Sequence, residues 1–199
     1  MREAGWLAVS VGLLCLGLGI APPAGRFTWL LENFPVLIGL PVLIATCRRW
    51  PLTPLLYRLL AVHAVILMVG GHYTYAAVPA GDWVRDWFGL ARNPYDRLGH
   101  LAQGFVPVIL IREICLRRGL DVRGWFGSTL LVLAGLGISA SYEILEWRTA
   151  VAVGSAADDF LGSQGDVWDA QWDMACCGVG AVVALFLLVR THDRQLQRP

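Results

Sequence analysis

The sequence predicts an all-α protein: a polytopic membrane bundle of about six transmembrane helices, a single transmembrane domain over residues 1–199. Three observations carry this. Of the 199 residues 56% are hydrophobic and only 16% charged, whereas soluble domains carry about 25% charged residues. Six apolar segments approach the ~20 residues that a helix needs to cross a bilayer. The arginines are distributed unevenly, and consistently so, between alternate loops.

The six segments are residues 6–21, 29–47, 54–75, 95–116, 125–147 and 167–190. The first has the apolar run and small-residue tail of a secretory signal, but Glu3 weakens its positive start and Pro22-Pro23 makes a poor cleavage context. It is read as a span. Arg2, Arg48, Arg49, Arg58, Arg112, Arg117, Arg118, Arg123, Arg190, Arg194 and Arg198 fall on one side. Arg26, Arg85, Arg92, Arg97 and Arg148 fall on the other. By the positive-inside rule both termini are cytoplasmic, and the expected location is the bacterial inner membrane. Trp6, Trp29, Trp50, Trp125, Trp147, Trp168 and Trp172 stand near segment ends, as an interfacial aromatic belt requires. Net charge is +1, so no bulk field recruits nucleic acid. The expected partners are membrane lipids. The five cysteines form no C-x-x-C pair, which argues against a zinc finger and leaves buried cysteine as the plain reading.

Charge inside the spans is confined mainly to one depth. The sixth segment enters from outside through QGDVWDAQWDM, with Asp166, Asp169 and Asp173 on one helical face and Trp168 and Trp172 on another. The fourth enters with Asp96 and His100 at i, i+4. The fifth leaves with Glu143 and Glu146 at i, i+3, the third leaves with His72, and the second enters with Glu32. At 1.5 Å per residue these side chains lie within roughly 10 Å of the outer boundary. A single boundary acid is ordinarily just solvated. Paired acids on several helices cost insertion energy and repel one another, so the layer as a whole reads as a functional site.

Other charges have plainer readings. Glu32 suits a helix start, His63 a packed or hydrogen-bonded core histidine, and Asp158-Asp159 ordinary loop charge. Glu113 and Arg117, at i, i+4, read as a surface ion pair. Gly135, Gly137, Gly178 and Gly180 permit close helix packing, and FLGSQGD reads as a turn leading into the sixth helix.

Carboxylates with few imidazoles suit Mg, Mn or Ca, and with His100 also Zn. The expected cofactor is such a divalent cation, on Asp96, His100, Glu143, Asp169 and Asp173. His100 or Glu146 would act as general base. Tyr95, Arg148 and Gln164 would contact substrate. Asp166 would cap the helix or support the ligands, as would His72. No Walker A, Rossmann or G-x-S-x-G pattern appears, and nothing beyond the histidine count suggests haem, so there is no haem, nucleotide or flavin signal.

The stretches GGHYTYAAVP, RNPYDRLGHLAQGFVPVILIRE, SASYEILEW and FLGSQGDVWDAQWDM, covering about residues 70–174, together resemble the YjdF-like family of bacterial inner-membrane proteins. The resemblance implies a small multi-helix membrane protein and brings no activity with it. Three functions fit the residues: a metal-dependent hydrolase or transferase acting on a lipid or lipid-linked headgroup, a small transporter or ion-binding protein, and a membrane assembly or partner protein. The topology is directly testable. Reporter fusions after Arg49 and Arg118 should signal cytoplasm and fusions near Ala80 and Ala157 the outside. An external signal from a fusion at the carboxyl terminus would overturn the six-span reading.

Overall fold

The computed structural model describes residues 2–154 and 163–197. Asp158 and Asp159, the fusion site at Ala157 and the 160–162 part of the predicted turn lie outside the described residues. Among the described residues the protein is all helix, with six helices long and apolar enough to cross a membrane. These are α1 (Arg2–Gly19), α2 (Arg26–Thr46), α3 (Pro54–Tyr73), α5 (Tyr95–Arg117), α6 (Gly124–Val153) and α7 (Asp169–Leu196). A 3-10 turn (Tyr75–Ala77) and the short helix α4 (Pro79–Phe88) lie between α3 and α5.

The boundaries follow local chemistry. Thr53 caps α3, its hydroxyl accepting from the Leu56 N–H, and Pro54 supplies a first-turn residue with no N–H to satisfy. The third span ends earlier than its hydropathy suggests, because Thr74 takes φ 68° and turns the chain. α4 was not anticipated as a helix: Pro79 starts it and Gly89, left-handed at φ 63°, stops it. It leaves Trp83, Trp87 and Phe88 exposed, as an interfacial helix would. α6 and α7 each run about a turn or more beyond their apolar segments, to Val153 and Leu196.

α5 is the centre of the bundle. Half of its most apolar stretch is buried, against 11% for α1. It packs on α3, α6 and, most extensively, on α7, which runs parallel to it. Two glycines make that contact. A Cβ at Gly104 would collide with the Cys177 carbonyl, and one at Gly180 with the Leu101 carbonyl, so the two backbones touch as small-residue membrane interfaces allow. Gly180 thus serves the α5–α7 contact, Gly135 and Gly178 meet α7 and α6 side chains at ordinary or slightly tight distances, and Gly137 faces open space. Leu56, Val108, Ile109, Leu131, Ala181, Ala184 and Leu185 fill the half of the bundle nearer the chain termini.

One sequence reading is corrected here. Glu113 is fully buried and belongs to no surface pair. It accepts from the Thr53 N–H at 2.9 Å, the Thr53 hydroxyl at 2.7 Å, Arg117 Nε at 2.9 Å and His192 Nε2 at 3.0 Å. Arg112 donates to His192 Nδ1 at 2.8 Å and to Asp193 at 2.8 Å. An arginine can only donate, so His192 accepts on Nδ1 and carries its proton on Nε2, facing the carboxylate. The ends of α5 and α7 and the start of α3 are joined by a satisfied network that the i, i+4 spacing alone did not reveal.

The glycine contact predicts a graded mutational response. Gly104→Val and Gly180→Val should each lower the thermal midpoint in detergent, by the ~1–3 kcal/mol or more that overpacking costs. Gly137→Ala should leave it unchanged or slightly raised. Unaltered melting of both valine variants would show that the two helices can separate without loss.

Candidate functional site

The end of the bundle away from the chain termini collects the acidic layer. α5 projects Asp96 and His100 from its first turns, and the close approach of α7 brings Asp173 beside them. The three residues are buried and offer ligand atoms within 4.8 Å of one another. His100 Nε2 faces Asp96 Oδ1 at 3.6 Å, Glu143 Oε1 of α6 at 3.8 Å and Asp173 Oδ2 at 3.9 Å. These separations are too long for hydrogen bonds. Asp96, His100 and Asp173 converge closely enough to share one cation, whereas Glu143 faces His100 from outside that group. On the other side of the ring, Nδ1 lies 3.1 Å from Gln103 Oε1. With the amide oxygen accepting the Nδ1 proton, Nε2 presents its lone pair to the acids, the arrangement that outer partners impose on metal-ligating histidines.

Two arginines frame the acids. Arg92, in the loop before α5, pairs with Asp169 and, at 3.2 Å, with Asp96. Arg97 reaches Asp166 at 2.9 Å and Asp173 at 3.4 Å, and its guanidinium lies 5.4 Å from the Trp172 ring centroid. Asp166 precedes α7 rather than opening it. Its Oδ1 accepts from the Trp168 N–H at 2.9 Å while Oδ2 takes Arg97. That backbone N–H, followed by Arg97, holds the Asp166 carboxyl below the ordinary aspartate range. Asp166 therefore both organises the helix start and positions an arginine. Asp169 is held in the arginine clamp and stands outside the group of converging donors.

Beside the cluster lies a cavity of about 260 Å³. Glu32, Asp96, His100 and Glu146 line one part of it, and Leu67, Pro107 and Ile138 another, with His63 at mid-helix depth. Glu32 is not a helix-start acid. α2 begins at Arg26, so Glu32 sits nearly two turns in, buried, with the Tyr142 hydroxyl 3.5 Å from its carboxylate. His63 Nε2 is buried with no hydrogen-bond partner among the described residues.

Four other predicted residues take different places. Arg148 is exposed, its guanidinium stacked on Trp147 at 5.6 Å. Tyr95 packs on Tyr75 and donates to the Ile66 carbonyl at 3.0 Å, tying α5 to α3. His72 contacts the Leu18 carbonyl at 2.8 Å, at the α1 side of the bundle. Gln164 clamps the backbone of Asn93, accepting from its N–H at 2.9 Å and donating to its carbonyl at 3.1 Å. Asn93 is itself fully buried and donates to the Val78 carbonyl and Asp82. The Gln164–Asn93 clamp thus fixes the loop before α7 to the loop before α5, above the cluster. Arg92, Gln103 and Asn93 were missed from sequence. The first two stand i−4 from Asp96 and i+3 from His100, the same helical spacing that singled out their partners.

Comparison with known proteins places the chain. Residues 4–194 match the model of a family described as "Predicted membrane protein (DUF2238)". The chain is 53% identical over 192 residues to the Inner membrane protein YjdF of Escherichia coli (strain K12), covering 96% of this chain and 91% of that one. That relative's name gives an inner-membrane location, in keeping with the six apolar helices of this chain. No solved structure matches the chain. With nearly its whole length matched, this polytopic membrane protein belongs to the DUF2238 family.

Proposed function

We propose that Asp96, His100 and Asp173, with Glu143 beside them, hold a divalent cation near the outer face of the membrane, and that the protein uses it to hydrolyse or transfer a lipid or lipid-linked headgroup. One observation carries this reading: His100 Nε2, its ring fixed by Gln103, facing three carboxylates at 3.6–3.9 Å. One imidazole with carboxylates suits Zn²⁺ or Mn²⁺ better than a purely oxygen-seeking ion. Such a cation supplies Lewis-acid polarisation of a phosphoryl or acyl oxygen. The remaining work falls to the chain itself. With His100 turned toward the cation, Glu146 on the cavity wall is the better-placed group to accept a proton from an attacking hydroxyl. Arg92 and Arg97 keep Asp96 and Asp173 in position through the opposing charges of Asp166 and Asp169.

The cavity's extension to His63 supports a second reading, an ion-binding or transport protein. A transport path would have to continue toward the termini, where the cluster of Leu56, Val108, Ile109 and Leu131 is fully packed. That favours chemistry at one end over passage through the bundle.

Cation loading tests the proposal. Purified protein incubated with Zn²⁺ or Mn²⁺ and desalted should retain the metal. Saturation should raise its stability, by about 2.7 kcal/mol at a hundredfold excess over Kd. Asp173→Asn and His100→Gln should abolish both effects while leaving the helical content intact, and Arg148→Ala should preserve them. An Asp173→Asn protein that binds and is stabilised as before would leave the aspartates a structural clasp.

A further inference from the structure

The bundle consists of two groups of three helices. α1, α2 and α3 pack on one another, as do α5, α6 and α7, and the groups meet chiefly where α3 packs on α5. The cavity lies on this boundary. Its outer walls are α2, through Glu32, Phe34 and Pro35, and α6, through Ile138, Tyr142 and Glu146. Those two helices scarcely pack on each other. The Phe34 and Tyr142 rings stack across the gap, 6.0 Å apart and 9° from parallel. The Tyr142–Glu32 contact, also across it, stands at the 3.5 Å limit of a hydrogen bond. Ile138 lines the cavity and yet is 40% exposed on the bundle surface. The described contacts between these walls are one ring stack and one marginal hydrogen bond, so this seam opens at small cost. It faces the depth at which acyl chains lie.

The cavity's chemistry selects a headgroup. Among the described residues Glu32, Asp96 and Glu146 line it and no arginine does; Arg92 pairs with Asp96 from the other side of the cluster, where Arg92 and Arg97 also meet Asp166 and Asp169, which leaves Glu32 and Glu146 as the acids the arginines do not reach. Buried carboxyl groups gathered without a cation are costly, and an ammonium among them supplies the counter-charge. Tyr75, which also lines the cavity, adds an aromatic ring that attracts a cation.

We propose that the α2–α6 seam is a lateral entrance for an amine-bearing phospholipid. Its ammonium rests against Glu32 and the neighbouring tyrosines, its phosphate turns toward the Asp96–His100–Asp173 end with Glu146 left free as the base, and its acyl chains remain in the bilayer past Phe34 and Tyr142. This rests on the reading of that cluster as the reacting end.

The test reconstitutes the full chain in vesicles containing a trace of phosphatidylethanolamine or phosphatidylglycerol with a photoreactive diazirine near the glycerol backbone. Adducts are mapped by mass spectrometry, and bound cation is measured on the same protein. The ethanolamine probe should label peptides bearing Phe34, Leu67 and Ile138, and the glycerol probe should label them about tenfold less, the scale of a lost charge pair. Ile138→Trp, a change at an exposed wall position, should suppress that labelling. Phe34→Ala should increase it, which keeps the test decisive if the tryptophan variant folds poorly. Glu32→Gln should erase the preference between headgroups. Labelling confined to outward residues such as Leu37 and Leu145 would overturn lateral entry, and equal labelling by both probes would overturn amine recognition. Retained cation without cavity labelling would sink the entrance alone. Cavity labelling without retained cation would sink the metal reading and leave the entrance standing.

Discussion

Everything at the acidic end depends on the approach of α5 to α7. Helices of ordinary composition pack 8–10 Å apart. Gly104 and Gly180 instead let the two backbones meet, and parallel helices in contact at mid-membrane stay in register at both ends. At one end that register sets Asp96, Arg97 and His100 against Asp169 and Asp173; at the other it sets Arg112 and Glu113 against His192 and Asp193. In lipid there is no strong hydrophobic drive between helices, so close van der Waals contact and buried polar bonds must hold the pair.

The two polar ends are built differently, and the difference bears on function. Around Glu113 every strong donor meets an acceptor: the carboxylate has four donors, and His192 is committed on both nitrogens. Such a network is expensive to break and has no capacity left for chemistry. Around His100 the donors converge without bonding one another, and among the described residues Glu143 Oε1 and Asp173 Oδ1 are buried without hydrogen-bond partners, Asp173 Oδ1 having only Arg97 at 3.4 Å. A satisfied network stabilises; a converging, incompletely satisfied one is the form that binds.

The surroundings give that site access and rigidity in different directions. From above, the Gln164–Asn93 clamp and the arginine pairs join the two loops that would otherwise part. From the side, α2 and α6 meet through little more than one ring stack. Rigidity therefore lies along α5 and α7, where the converging acids and His100 stand, and compliance lies toward the lipid.

The sequence by itself determined the six spans, because crossing hydrocarbon demands a length and a composition that few other constraints imitate. It also determined which acids share a depth, since helical rise converts residue number directly into distance. Asp96 with His100, and Glu143 with Glu146, were legible as pairs for that reason. Only the tertiary structure decided which of these faces meet. Rotation of each helix about its axis is set by packing against neighbours, which periodicity in an almost uniformly apolar segment does not encode. That rotation turned Glu32 inward to the cavity, left Arg148 outside and gave Asp169 to Arg92. It also buried Glu113, whose i, i+4 partner Arg117 was visible in sequence while His192, 79 residues away, was not.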